Sequence, residues 1–136
     1  MIFVTGGRYQ GRLKIALQVS GYSENDVFDF SKINQPGYAD GDRDFKTSKI
    51  WYNLQEYVRA LVLMGTEMDQ IDEMVKRLVV THGPEVIIMS EVGSGVIPME
   101  KESNVFREAA GKLSVYFADE AKECYRAICG MSIQLK

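Results

Sequence analysis

Met1-Ile2-Phe3-Val4-Thr5-Gly6-Gly7-Arg8-Tyr9-Gln10-Gly11-Arg12-Leu13 runs a short apolar strand straight into a glycine-rich turn and then toward a helix. Gly6 and Gly11 keep the spacing of the phosphate-binding loop G-x-x-x-x-G-K-[ST]. In that motif backbone N–H groups cradle the phosphates, the lysine reaches the outer ones and the hydroxyl holds magnesium. Arg12 stands where lysine belongs, and Leu13 stands where the hydroxyl belongs. A guanidinium still neutralises phosphate, but its planar fork does not place a point charge as an ammonium does. Leucine cannot ligate a metal. Lys14, further along the helix, is expected to point to roughly the opposite side. The stretch therefore reads as strand, phosphate loop and helix, with Gly6, Gly7, Arg8, Gly11 and Arg12 as the nucleotide-binding candidates. The plainer alternative is a glycine-rich turn between a buried strand and a helix.

The 136 residues suit a single domain spanning 1–136 with a sizeable core. With 46% hydrophobic and 26% charged residues the chain reads as an ordinary globular protein. A formal net charge of -3 and the lack of a basic stripe argue against a general nucleic-acid binder. No apolar run approaches a membrane span, and the N-terminus has neither part of a signal peptide, so a cytoplasmic location is expected. Cys124 and Cys129 match no redox or zinc spacing and are expected to be free thiols.

After the loop, residues 13–20 are expected to form a helix that stops at Gly21, and Val27-Phe28-Asp29-Phe30 reads as a short buried strand. Residues 31–45 carry Pro36, Gly37 and Gly41 without periodicity and read as a long surface loop. Ile50, Leu54, Tyr57, Val58, Leu61 and Val62 recur as one face of an amphipathic helix ended by Gly65. Thr66 and Asp69 have capping-box spacing ahead of a second helix, with Met68, Ile71, Val75, Leu78 and Val79 on one face. His82-Gly83-Pro84 closes it. Glu85-Val86-Ile87-Ile88-Met89 then fits a central parallel strand. It runs into Ser90-Glu91-Val92-Gly93-Ser94-Gly95-Val96-Ile97-Pro98, polar residues and glycines where an α/β sheet places its ligand crevice. A long helix over 103–120 and a terminal hairpin joined at Gly130 complete the reading. Alternation of strand and helix makes this α/β with a mostly parallel sheet.

The blocks 90–98, Phe106-Arg107-Glu108 with Gly111, and the hairpin ending at Leu135-Lys136 resemble the C-terminal half of adenosylcobinamide kinase/adenosylcobinamide-phosphate guanylyltransferase, an enzyme family of cobalamin assembly. Members show N-E-V-G-x-G-[IV]-[VI]-P, F-R-[DE]-x-x-G and a closing G-[ILM]-x-[ILV]-x-[LI]-K. Phe3-Val4-Thr5-Gly6-Gly7 also looks like the family opening F-[VI]-[TL]-G-G. The resemblance covers about the first twenty residues and everything from Trp51 onward. It implies a three-layer sheet of P-loop NTPase (RecA-like) type with a C-terminal antiparallel hairpin, GTP or ATP as nucleotide, a corrinoid substrate and a trimer. The matching positions are Gly6, Gly7, Gly11 and Arg12 for phosphate and Glu91, Gly93, Gly95 and Arg107 around the crevice.

The departures matter equally. The family guanylylates a histidine in an H-x-x-R context early in the chain, and here the single histidine, His82, precedes the central strand. The chain is also some forty residues shorter than a full member by that comparison. Without a nucleophile, covalent nucleotidyl transfer has no route. The reading is a reduced member with residual nucleotide or corrinoid binding and without guanylyl transfer; the alternative is a non-catalytic scaffold or regulatory subunit. Neither a catalytic residue nor a metal ligand is assigned. Asp29 is either the counterpart of the magnesium-organising aspartate or a residue on an edge-side strand. Asp40, Asp42 and Asp44 imitate half of a calcium loop, but Phe45 and Trp51 occupy its glycine and glutamate positions, so a solvated acidic loop is expected.

Overall fold

The computed structural model describes residues 1–34, 45–92 and 101–136. β1 (Ile2–Gly6) leads through the glycine loop into α1 (Arg12–Ser20), and β2 (Val27–Asp29) passes into a 3-10 turn (Phe30–Asn34). β3 (Ile50–Tyr52) is followed by α2 (Leu54–Leu63) and α3 (Met68–His82). β4 (Val86–Ile88), α4 (Lys101–Glu120), β5 (Glu123–Ile128) and β6 (Met131–Gln134) complete the domain.

The six strands line up as β2-β3-β4-β1-β5-β6. All neighbours are parallel except β5 and β6, which form the antiparallel hairpin expected from the sequence. Its two turn residues, Cys129 and Gly130, both have positive φ (50° and 74°), the geometry that matches the twist of a two-residue hairpin. Crossover direction decides which helix covers which face. From β1 the chain moves across the sheet to β2, whereas β3 to β4 and β4 to β5 move the other way. Right-handed crossovers of opposite direction lie on opposite faces. Accordingly α1 is the one helix among the described residues on its side, where Ile15 and Ala16 meet Val4, Val27, Ile50, Val86, Ile88 and Ala127. On the other side α2, α3 and α4 enclose Phe3, Phe28, Trp51, Ile87, Met89, Leu113 and Phe117. The period of two along β1, β3 and β4 sends alternate residues to these two cores. The result is the three-layer, mostly parallel α/β architecture of a P-loop NTPase-like fold.

Three local expectations change. Ile50-Trp51-Tyr52 is a strand, not the first turn of the helix, because its β-branched and aromatic residues pair between β2 and β4. Asn53, with φ of 60°, then breaks the chain before α2 begins. The Thr66–Asp69 capping box does not form: the N-cap of α3 is Glu67, without a side-chain cap. Residues 31–34 belong to the 3-10 turn instead of a loop, and Phe45 packs against the larger core. Asp40, Asp42 and Asp44 lie outside the described residues. The question left open for Asp29 is answered by the strand order, since β2 is an edge strand with β3 as its sheet partner and does not neighbour β1. Both cysteines are free, Cys124 buried and Cys129 exposed. Among the described residues no helix is long and apolar enough to cross a membrane.

Candidate functional site

Because β1 to β4 are parallel, their carboxyl ends share one edge of the sheet, where ligands of open α/β sheets bind. The glycine loop sits at that edge. Gly6 has φ of 143°, and a Cβ there would lie 2.7 Å from the Ala127 carbonyl oxygen, so the strand-to-loop turn tolerates glycine alone. The loop is tied down at its far end by the hairpin turn. Gly130 N donates to the Gln10 carbonyl at 2.9 Å, and Cys129 N donates to Gln10 Oε1 at 2.7 Å. Tyr9, at φ of 60°, projects from the loop tip and is 97% exposed.

Arg12, the first residue of α1, is only 6% exposed. Its Nη2 donates to Asn53 Oδ1 at 3.2 Å, and its guanidinium carbon lies 5.5 Å from the centre of the Tyr52 ring. Its Nη1 is buried and has no hydrogen-bond partner among the described residues. Burial pulls the pKa of this guanidinium down, while it stays far above neutrality as an arginine. Asn53 in turn donates from Nδ2 to Asp29 Oδ1 at 3.0 Å, which also accepts from Ser31 N and Ser31 Oγ. Gln55 is buried and spans the ends of two strands: Nε2 donates to Asn53 Oδ1 at 3.2 Å, and Oε1 accepts from Ser90 N at 3.1 Å. One polar chain thus joins the carboxyl ends of β2, β3 and β4 to the start of α1.

Beside this chain lies a cleft of about 530 Å³. The loop and α1 contribute Arg8, Tyr9, Gly11, Arg12, Leu13 and Lys14; the facing wall is Ser31, Tyr52, Asn53, Gln55 and Glu56. Lys14 is among the residues that line the cleft. Of the nucleotide-binding candidates, Arg8, Gly11 and Arg12 line the cleft, whereas Gly6 and Gly7 do not.

The second group of candidates is placed differently. Glu91 is held by Arg126 of β5 in a two-pronged ion pair, at 2.6 Å from Nε and 3.0 Å from Nη2. Arg107 lines a separate groove of about 800 Å³ along α4, with Val92, Glu108 and Lys112. Gly93 and Gly95 lie outside the described residues. His82 sits at the opposite, amino edge of the sheet, packed against Phe45 (5.4 Å between ring centres) and Trp51 (6.3 Å).

Asn53, Gln55 and Tyr52 escaped the sequence reading. Their signal was present but weak: two polar side chains directly after an apolar triplet, where a parallel strand ends at a crevice. The donor set does not fit a bound magnesium. Leu13 offers no ligand, Asp29 Oδ1 is engaged by Asn53 and Ser31, and among the described residues no three His, Cys, Asp or Glu gather to hold a metal ion.

No curated protein matches the chain. Residues 51–135, from β3 to the end of the hairpin strands, match the family described as cobinamide kinase / cobinamide phosphate guanyltransferase, while the glycine loop and α1 lie outside the matched segment.

Proposed function

The chain belongs to the cobinamide kinase / cobinamide phosphate guanyltransferase family, and from that premise we propose that it is a reduced member that retains nucleotide or corrinoid binding without guanylyl transfer. The observation that supports the reading is Arg12: a nearly buried guanidinium at the start of α1, in a cleft, with one nitrogen lacking a partner among the described residues. A helix N-terminus and a desolvated cation together favour an anion. The reading without guanylyl transfer is supported by His82, which packs in an aromatic cluster at the far edge of the sheet from the cleft.

The scaffold alternative requires the phosphate site to be filled by Tyr9, Arg12 or Leu13. Tyr9 points into solvent, and a cleft remains beside Arg12 and Leu13, which favours binding over a closed site. A homotrimer belongs to the same proposal, on family resemblance. Titration calorimetry with ATP, GTP and adenosylcobinamide phosphate, each with magnesium and with a chelator, tests the reading. Weak binding that is indifferent to chelation is expected. Tight binding that collapses on chelation would overturn the view of the loop as metal-independent, and no heat with any ligand would leave the scaffold.

A further inference from the structure

We propose that β6 is the contact through which two copies of this chain join, edge to edge and antiparallel, into one continuous sheet. The inference does not rest on the binding reading above.

β6 is an outer strand of the sheet, and no strand among the described residues covers its far side. At the opposite edge, β2 is buried at Val27 and Phe28, whereas all four residues of β6 are exposed. Bare N–H and C=O groups template pairing with another chain, so exposed edges are ordinarily guarded by charges, proline or a bulge. Here Ala127-Ile128-Cys129-Gly130-Met131-Ser132-Ile133-Gln134-Leu135 contains no charge and no proline, and its register with β5 advances without a bulge. Lys136, next in the chain, folds its ammonium back onto the Ala118 and Asp119 carbonyls at the end of α4, at 3.3 and 2.7 Å. No like charges therefore oppose a second copy at this edge.

The register follows from two parities. Hydrogen-bonded and non-hydrogen-bonded pairs alternate along an antiparallel ladder. Leu135 N donates to the Cys124 carbonyl at 2.7 Å, so Leu135, Ile133 and Met131 turn their backbone groups toward β5, and Ser132 and Gln134 turn theirs outward. Side chains divide in the same way. Ser132 and Gln134 pair with Ala127 and Tyr125 on the α1 face, while Met131 and Ile133 lie on the face that Cys124 gives to the larger core. On that face Met131 is 67%, Ile133 47% and Leu135 58% exposed, an apolar stripe along the bare edge.

A two-fold axis at Ile133 brings the outward groups of Ser132 and the partner's Gln134 together, and the symmetric pair with them. The same operation sets Ile133 on its counterpart and Met131 on the partner's Leu135. Apolar side chains meet on one face and amide meets hydroxyl on the other, so the segment complements itself. Centring the axis on Ser132 or Gln134 instead sets the remaining outward residue against the partner's Gly130 or Lys136, neither of which belongs to β6. The contact is isologous, whereas a closed three-fold ring is built from heterologous contacts. It is therefore distinct from the homotrimer contact and would join two such rings into six chains. A four-residue strand on each side makes a small interface, in the weak class below about 1,200 Å², and its association belongs in the micromolar range.

Sedimentation velocity of the full chain across that range tests this. An even assembly, two chains or six, should form and dissociate on dilution. Ile133→Lys sets two ammonium groups face to face and should raise the dissociation constant at least about tenfold. Ser132→Pro removes an outward N–H that β5 does not use and should do the same. The register is read with cysteine variants in a Cys129→Ser background, with diamide as oxidant. Ile133→Cys should give a covalent dimer, because the axis places it opposite itself, while Met131→Cys, about 13 Å from its counterpart, should not. Cross-linking carries the test if Ile133→Lys or Ser132→Pro does not fold. A monomer at every concentration overturns the inference. So does an assembly whose mass Ile133→Lys leaves unchanged, and a trimer of that kind leaves the homotrimer standing. Equal cross-linking by Met131→Cys overturns the register.

Discussion

Replacing Gln55 by leucine should separate the ends of β3 and β4 energetically. Gln55 is 3% exposed and nearly isosteric with leucine, so the substitution removes two hydrogen bonds without opening a large cavity. Ser90 N, on a residue 7% exposed, loses its acceptor and becomes a buried orphan donor, which costs roughly 1–3 kcal/mol. Asn53 Oδ1 keeps Arg12, so the second lost bond adds little. A net loss of about 2 kcal/mol corresponds to a fall of about 6 °C in melting temperature for a domain of this size. In urea the midpoint should drop while the slope stays constant, because the surface exposed on unfolding is unchanged. Gln55→Glu retains the acceptor for Ser90 N but turns an oxygen toward Asn53 Oδ1, and should fall between wild type and leucine. A Gln55→Leu protein within about 0.5 kcal/mol of wild type would refute the claim that this amide joins the two strand ends.

Gly6→Ala should cost at least ~2 kcal/mol and remove nucleotide binding with it, since its Cβ meets the Ala127 carbonyl oxygen at 2.7 Å at a φ of 143°; an unchanged urea midpoint would contradict the turn described. Glu91→Gln should leave both melting temperature and nucleotide affinity nearly unaltered, because the ion pair with Arg126 is partly exposed and structural; intact stability with abolished binding would make Glu91 a ligand-binding residue. The hydrogen bond from Tyr22 holds the Glu85 carboxyl below its ordinary range, with Lys49 assisting. That contribution is present above the usual glutamate pKa and is lost as pH falls through the depressed folded value. Tyr22→Phe should therefore lower the urea midpoint near neutrality and converge with wild type in acid, and a gap that widens on acidification would reverse the assignment.

The class of fold was legible because its strongest signals are local. An apolar strand met a glycine turn, Gly21 stopped α1 in the left-handed region, and an unbroken apolar run marked β4 as a strand covered on both faces. β3 was not legible, because Ile50 and Leu54 stand one helical turn apart and a three-residue strand offers too little alternation to compete. Its identity depends on pairing with β2 and β4, which are distant in sequence. The same limit hid the polar chain. Asn53 and Gln55 belong to no motif, and their roles arise when Arg12, Asp29 and Ser90 converge from other elements. The glycine loop, by contrast, announced itself through residues adjacent in sequence.

β1 lies in the middle of the sheet, with Ile2 opposite Val86 on one side and Glu123 on the other, and Gln10 is pinned by a residue 119 positions away. During synthesis β1 therefore has both edges bare until β4 is made, and its second edge stays bare until β5 follows. Such long-range closure is slow, and exposed apolar strand edges invite association with other nascent chains in the interval. The glycine loop is made well before the hairpin turn that fixes Gln10 and acquires its final shape only after it. A chain released before the hairpin is complete would carry every residue of the cleft and still lack the turn that fixes Gln10.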